Sequence, residues 1–198
     1  MGALLGLARG IDRVNLLIGR WAAWLVVAAV LVSAGNATIR KLVNGFPGTA
    51  FGDALRGLFS GYNTHANSWL ELQWYLFGAL VMLGAAAALN RNEHVRVDLI
   101  YGAVSDRARL WIDLFGLIFF LLPFAAYAAW LTWPVFLQSW QINEGSSNAG
   151  GLVRWPAKLL LPVGFALLAL QGLSELIKRV AALRGLITLS TKYSKPLQ

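Results

Sequence analysis

Cysteine is absent from the 198-residue chain, and histidine occurs only twice, as His65 and His94. A chain without cysteine forms no disulfide, has no thiol nucleophile and offers no thiolate to a metal ion. Both histidines lie outside the long apolar runs, so no pair of intramembrane imidazoles can hold a haem. No phosphate-binding loop or nucleophile–base pair is visible. We therefore predict no catalytic residue, no cofactor and no metal site.

Charged side chains are also scarce, at 13% of the chain, whereas hydrophobic residues make up 58%. Soluble domains have about 25% charged and about 45–50% apolar residues. The apolar residues are concentrated in four runs, at 14–35, 72–89, 110–137 and 156–177. Each run is near or above the roughly 20 residues that a helix needs to cross a bilayer. The sequence therefore predicts an all-α integral membrane protein, a single domain over 1–198, with spans at about 14–35, 69–89, 106–137 and 156–177.

The net charge of +8 is distributed around the apolar runs and forms no separate basic patch, so it indicates membrane topology and not a nucleic-acid partner. Of the 17 Lys and Arg residues, twelve lie in the N-terminal segment up to Arg20, between the second and third runs, or after the fourth. The positive-inside rule then places both termini in the cytoplasm. In this topology 36–68 and 138–155 are periplasmic loops, 90–105 is a cytoplasmic connection and 178–198 is a basic cytoplasmic tail.

The long first loop is broken by glycines but contains a possible short amphipathic helix around Ala50–Phe59. Ser68 followed by Glu71 fits a capping box at the start of the second span. Ser105 and Asp106 fit the start of the third, where a negative charge is favourable. Pro123 is expected to kink the third span.

Two groups of ionisable residues invite a functional interpretation. Glu93 and His94 are predicted to be solvated polar residues of the cytoplasmic connection and not metal ligands. Arg20, Asp113 and Glu175 lie at similar depth on the first, third and fourth spans. Because charges inside a membrane usually pair, we predict a structural ion-pair set joining these helices; the alternative is that each side chain reaches the headgroups separately.

Four sequence blocks in this order carry a family resemblance: LELQWYLFGALVMLGAA, NEHVRVDLIY, RARLWIDLFG and GGLVRWPAKLLLPVGFALLALQGLSELIKR. From about Asn36 to Leu183 the chain resembles the DctQ-like small membrane subunit, or small permease, of tripartite ATP-independent periplasmic (TRAP) transporters. It most resembles the branch labelled for mannitol or chloroaromatic compounds.

The resemblance implies a non-catalytic subunit in a bacterial inner membrane, without a transport site of its own. Its partners would be a large elevator-type membrane subunit, which carries the sodium and solute sites, and a periplasmic substrate-binding protein. The solute would be an organic acid or a related compound. We predict that Trp74, Gly84 and Ala88 contact the large subunit, and that Arg56, Arg154 and Lys158 help to dock the binding protein.

Two other classes of membrane protein are weighed against this interpretation. An independent small channel or exporter would need a polar stripe along one helix and would work without partners. A redox-enzyme membrane anchor would need intramembrane histidine, cysteine or a catalytic pair, which the spans lack.

Overall fold

The fold is seen in a computed structural model, which describes residues 1–92 and 104–188. These residues form six helices and no strand: α1 (Gly2–Gly45), α2 (Ala50–Leu58), α3 (Ser60–Thr64), α4 (Ala66–Arg91), α5 (Asp106–Gln141) and α6 (Trp155–Leu183). The four long helices, α1, α4, α5 and α6, are each long and apolar enough to cross a membrane. The predicted all-α class with four membrane-crossing helices is therefore confirmed.

Helix α6 is the centre of the bundle, since it packs against α1, α4 and α5. It is also the most buried of the four long helices. Helix α1 packs most extensively against α4, and α5 packs against α6. The buried residues of α6 are small or polar as well as apolar: Pro162, Gly164, Gln171, Gly172, Ser174, Glu175, Ile177 and Ala181. Small residues let membrane helices approach closely, and buried polar residues join them.

Glycine makes two of these helix contacts possible. A Cβ atom placed on Gly19 of α1 would lie 2.3 Å from the Cβ of Ala87 on α4. A Cβ on Gly164 of α6 would lie 2.7 Å from the side chain of Met82 and 2.8 Å from its backbone oxygen. Neither position has room for a larger residue unless a helix shifts.

Helix α1 extends beyond the predicted first span in both directions. Residues 36–45, which were predicted to begin the periplasmic loop, continue α1 without a break. Arg40 and Lys41 are exposed there, so the helix can leave the hydrocarbon layer and continue in water. The short amphipathic helix expected after it is confirmed as α2, whose first turn is capped by the Thr49 hydroxyl accepting from the Gly52 N–H at 3.0 Å.

The capping-box prediction for the second span is wrong. Helix α4 begins at Ala66, after His65, so Ser68 already lies inside the helix and caps nothing. Its hydroxyl instead donates to the carbonyl of Gly150. At the other end, α4 continues through Asn90 to Arg91. It stops at Asn92, which adopts a left-handed conformation (φ 61°) that Asn tolerates better than most residues.

The beginning of α5 is confirmed, since the Ser105 hydroxyl accepts from the Ala108 N–H at 3.4 Å and Asp106 occupies the first turn. Farther along, residues Leu117–Leu121 form a π-helical stretch just before Pro123. Proline has no N–H to donate and its ring collides with the preceding turn of an α-helix. The wider π turn accommodates both effects at the place where a kink was expected.

Candidate functional site

One end of the bundle contains a cluster of buried polar side chains drawn from α1, α5 and α6. We call it the polar cluster; its members are Asp12, Asn15, Asp113, Gln171, Ser174, Glu175, Lys178 and Arg179. Because α6 is central, its residues reach the first helix on one side and the third long helix on the other.

Gln171 links α6 to α1. Its amide nitrogen donates to Asp12 at 2.8 Å and to Glu175 at 3.2 Å, while its carbonyl oxygen accepts from Asn15 at 2.9 Å. The Ser174 hydroxyl lies 2.7 Å from the same Asp12 carboxylate. Gln171 and Ser174 are fully buried and Asn15 is 1% exposed. Each of these groups finds its partner on the neighbouring helix, which removes the penalty of burying it.

Two cations of α6 complete the cluster, one facing α1 and the other facing α5. Lys178 pairs with Asp12 at 3.0 Å and with Glu175, and Arg179 pairs with Asp113 at 3.0 Å and with Glu175. Three carboxylates therefore share two cations across three helices. The arrangement fastens α1, α5 and α6 together.

The structure brings two of the three residues of the predicted ion-pair set together, but through a different cation. Asp113 and Glu175 both contact Arg179, whereas Arg20 is exposed and pairs with no carboxylate in the described ranges. Asp12 is the α1 residue that contacts α6 beside Glu175, and Arg20 lies eight residues farther along α1, about 12 Å at 1.5 Å per residue. Depth along a helix was the criterion for choosing Arg20, and the depth estimated from the sequence was wrong by about two helical turns.

The sequence analysis missed six members of the cluster: Asp12, Asn15, Gln171, Ser174, Lys178 and Arg179. A signal for them was present in the spacing. Asp12 and Asn15 are three residues apart, and Gln171, Ser174 and Lys178 follow at intervals of three and four. Such intervals put side chains on one face of a helix.

The opposite end of the bundle is organised around Glu71, near the start of α4. Its carboxylate is 4% exposed and accepts hydrogen bonds from the Ser146 hydroxyl, the Asn148 amide at 3.0 Å and the Leu152 backbone N–H at 2.6 Å. All three donors belong to the connection between α5 and α6. Glu71 therefore holds this connection, residues 142–154, against α4, in place of the predicted capping role.

Three more side chains of α4 fasten the same connection through its backbone. Asn67 donates to the carbonyl of Ala149 at 2.9 Å, Ser68 to that of Gly150, and Tyr75 to that of Val153 at 2.8 Å. Asn67 and Ser68 lie in the first turn of α4, and Tyr75 lies two turns farther along it. The connection is therefore laid along the helix as a fixed ledge.

A groove of about 300 Å³ runs beside this ledge between α4 and α6. It is lined by Trp74 and Gly78 from α4 and by Arg154 and Lys158 at its polar end. The sequence analysis assigned Trp74 to one predicted contact surface and the two cations to another. The structure places them on the same groove.

The two cations of this groove already have partners. Lys158 forms an ion pair with Glu144, and Arg154 donates to the Ser147 hydroxyl at 2.9 Å. The hydrogen bond from Lys158 lowers the pKa of the Glu144 carboxyl below its ordinary value. Arg56, the third predicted docking cation, lies apart on α2 and pairs with Asp53 at 3.0 Å.

The remaining predicted residues lie elsewhere on α4 or outside the described ranges. Ala86 and Ala87 are buried in the bundle, but Gly84 and Ala88 are half-exposed, and a Cβ on Gly84 would meet nothing within 4 Å. That side of α4 is open to a neighbouring molecule. Glu93 and His94 fall among residues 93–103, outside the part of the chain that the structure describes.

Comparison with known protein families identifies the relatives of this chain. The family model described as "Tripartite ATP-independent periplasmic transporters, DctQ component" matches residues 58–182, more than half of the chain. The matched region contains α4, α5 and almost all of α6, with the Glu71 ledge and the α5 and α6 members of the polar cluster. No curated protein and no solved structure matches the chain.

Proposed function

Because the chain belongs to the DctQ component family of TRAP transporters, we propose that it is the non-catalytic small subunit of a sodium-coupled transporter in a bacterial inner membrane. The transporter would take up an organic acid or a related solute. In this proposal both termini are cytoplasmic, and the Glu71 ledge faces the periplasm. The predicted mannitol or chloroaromatic branch stays a prediction.

The subunit serves as a fixed scaffold for the large elevator-type subunit. The observation that supports this role is the polar cluster, in which the buried polar groups of three helices bind one another. A moving or solute-binding helix needs polar groups that exchange partners, whereas mutually paired groups hold the helices at constant distances. The half-exposed surface of Gly84 and Ala88 and the groove at Trp74 are the proposed contacts with the large subunit.

The ledge is the proposed contact for the periplasmic binding protein. It is held by Glu71 and three neighbouring side chains, so docking costs little ordering entropy. Arg154 and Lys158 lie at its side, and Arg56 is half-exposed on α2; these cations would complement acidic residues on the partner.

Reconstitution tests the proposal. The chain, the large subunit and the binding protein of one transporter are placed in liposomes with an inward sodium gradient, and solute uptake is measured with each component omitted in turn. We expect uptake only when all three are present, and copurification of the chain with the large subunit. Solute uptake by the chain alone would contradict the scaffold role and favour an independent channel or exporter.

The absence of cysteine makes the orientation directly testable. Single cysteines replacing Arg13, Thr49, Ser147 and Arg184 can be labelled in intact cells with a membrane-impermeant maleimide, since the chain has no background thiol. We expect labelling at positions 49 and 147 only. Labelling at 13 and 184 instead would invert the proposed topology.

A further inference from the structure

A second groove, of about 540 Å³, lies between the C-terminal half of α1 and the first turns of α4. Unlike the groove at Trp74, it is lined mainly by polar and cationic side chains. The residues that carry the argument are Ser33, Asn36, Arg40 and Lys41 from α1, and Leu70 and Gln73 from α4.

The cations of this groove differ from the other cations at the same end of the bundle. Arg56 and Lys158 pair with carboxylates, and Arg154 donates to Ser147. Arg40 and Lys41 are exposed, and neither pairs with a carboxylate within residues 1–92 and 104–188. The groove therefore presents two uncompensated positive charges.

Neutral donors lie beside these charges. The side-chain oxygen of Asn36 accepts from the Tyr62 hydroxyl, which leaves its amide nitrogen as a donor. Ser33 and Gln73 add a hydroxyl and a second amide to the lining. Two cations with several neutral donors form a site for an oxyanion that carries more than one acceptor oxygen.

The helical register continues the groove toward the middle of the membrane as an apolar stripe. On α1, Val30 and Val26 precede Ser33 by three and seven residues, and on α4, Phe77 and Val81 follow Gln73 by four and eight. These intervals keep each set on one helix face. All four apolar side chains are exposed, by 45–63%.

We propose that this groove binds an anionic phospholipid of the outer leaflet. The headgroup phosphate contacts Arg40 and Lys41, and the acyl chains lie along the Val26–Val30 and Phe77–Val81 stripe. Along the groove the lining changes from apolar to polar to cationic, in the same order in which a phospholipid changes from its acyl chains to its headgroup. A soluble acidic protein could reach the two cations but not the stripe, which lies at membrane depth.

The binding site itself does not depend on the transporter role; only its assignment to the outer leaflet follows the proposed orientation. Lipid binding can therefore be measured without solute uptake. The full-length chain is purified in detergent and titrated with phosphatidylglycerol or phosphatidylcholine, and the bound lipid is counted by native mass spectrometry. We expect tighter binding of phosphatidylglycerol.

Two variants and one control locate the site. Removing the charges in Arg40→Gln/Lys41→Gln should weaken phosphatidylglycerol binding by about fivefold for each cation, and phosphatidylcholine binding less, because the choline cation offsets the charge of its phosphate. Ala37→Trp keeps both charges but fills the groove, since Ala37 also lines it, and should abolish the preference. Arg56→Gln removes one half-exposed charge from α2, outside the groove, and should have no effect. Circular dichroism verifies that each variant is folded.

Three results would overturn the proposal. The first is equal binding of the two lipids by the unaltered chain, and the second is unchanged phosphatidylglycerol binding in both groove variants. The third is that the groove variants bind lipid as the unaltered chain does but no longer copurify with a partner protein. That result would make the groove a protein contact.

Discussion

The side-chain amide of Asn15 on α1 donates a 2.9 Å hydrogen bond to Gln171 on α6, and neither residue is more than 1% exposed. The bond joins the first long helix to the last. In a membrane the alternative partner of such a group is another protein group, because hydrocarbon provides none. The pair is thus a tertiary contact whose loss should be measurable.

Replacing Gln171 by alanine should destabilise the bundle. The change leaves the buried amide of Asn15 with only the long hydrogen bond to the Leu167 carbonyl at 3.4 Å and takes one donor from Asp12, at a cost of about 1–3 kcal/mol. Unfolding by SDS titration in mixed micelles measures the loss. Gln141→Ala, at an exposed position at the end of α5, is the matched control and should change stability by at most about 0.5 kcal/mol.

The same interaction can be isolated by combining changes. If Asn15→Ala and Gln171→Ala interact, the double variant should lose less stability than the sum of the single losses. Strictly additive losses would contradict the hydrogen bond between the two helices.

Arg179 and Arg20 should respond oppositely to substitution. Arg179→Ala leaves the carboxylates of Asp113 and Glu175 without their shared cation at largely buried positions, and we expect a loss of about 3–5 kcal/mol. Arg20→Ala removes an exposed charge and should cost at most about 0.5 kcal/mol. Thermal unfolding of both variants in one detergent compares them. A larger loss for Arg20→Ala would restore the originally predicted pairing.

The contrast between these two arginines shows how far the sequence could predict the site. Hydropathy and helix signals were sufficient for the four long helices, for α2 and for Ser105 at the start of α5. They were sufficient because length, apolar content and capping are local properties of a segment. The polar cluster depends instead on how each helix is positioned and rotated in the bundle. Hydropathy does not give this information, because residues that face lipid are as apolar as residues that face another helix.

Glu71 was mispredicted for a related reason. Ser68 and Glu71 have the spacing of a capping box, and the local pattern carried no information about the connection 75 residues and more along the chain that contacts them. A carboxylate near the start of a helix can accept hydrogen bonds equally well from the N–H groups of its own helix or from donors far away in the chain. Only the packing of α4 on α6 brings the Ser146–Leu152 segment to it.

Glu71→Gln should loosen the ledge without unfolding α4. The amide side chain keeps the size but loses the charge and one acceptor oxygen, so the three hydrogen bonds from the connection cannot all be retained. Hydrogen–deuterium exchange should show faster exchange of the Leu152 amide, which donates to Glu71 at 2.6 Å.

Ser68→Ala separates the two interpretations of this region. If Ser68 capped α4, its removal would fray the amides of the first helical turn. In the structure it holds the Gly150 carbonyl, so exchange should rise in the connection and stay unchanged in the first turn.

The contact of Gly19 with Ala87 should tolerate no added methyl group on α1. Gly19→Ala places a Cβ 2.3 Å from that of Ala87, and overpacking of this kind costs about 1–3 kcal/mol. Gly10→Ala on the same helix meets nothing within 4 Å and should stabilise slightly, since alanine is the better helix former. Adding Ala87→Gly to Gly19→Ala exchanges the methyl group between helices and should recover most of the loss. No recovery would mean that the two helices do not meet at these residues.

The ion pair of Lys158 with Glu144 predicts a pH dependence of stability. The hydrogen bond from Lys158 lowers the pKa of Glu144 in the folded chain from its ordinary value of 4.5. A lowered folded-state pKa means that the unfolded chain binds the proton more readily, so this contribution is complete above pH 4.5 and is lost as the pH falls through the folded-state pKa. Glu144→Gln removes it. The difference in unfolding temperature between the unaltered chain and this variant should therefore be constant near pH 7 and shrink below pH 4.5. A difference that stays constant down to the lowest pH would show that Glu144 gains nothing from Lys158 in the folded protein.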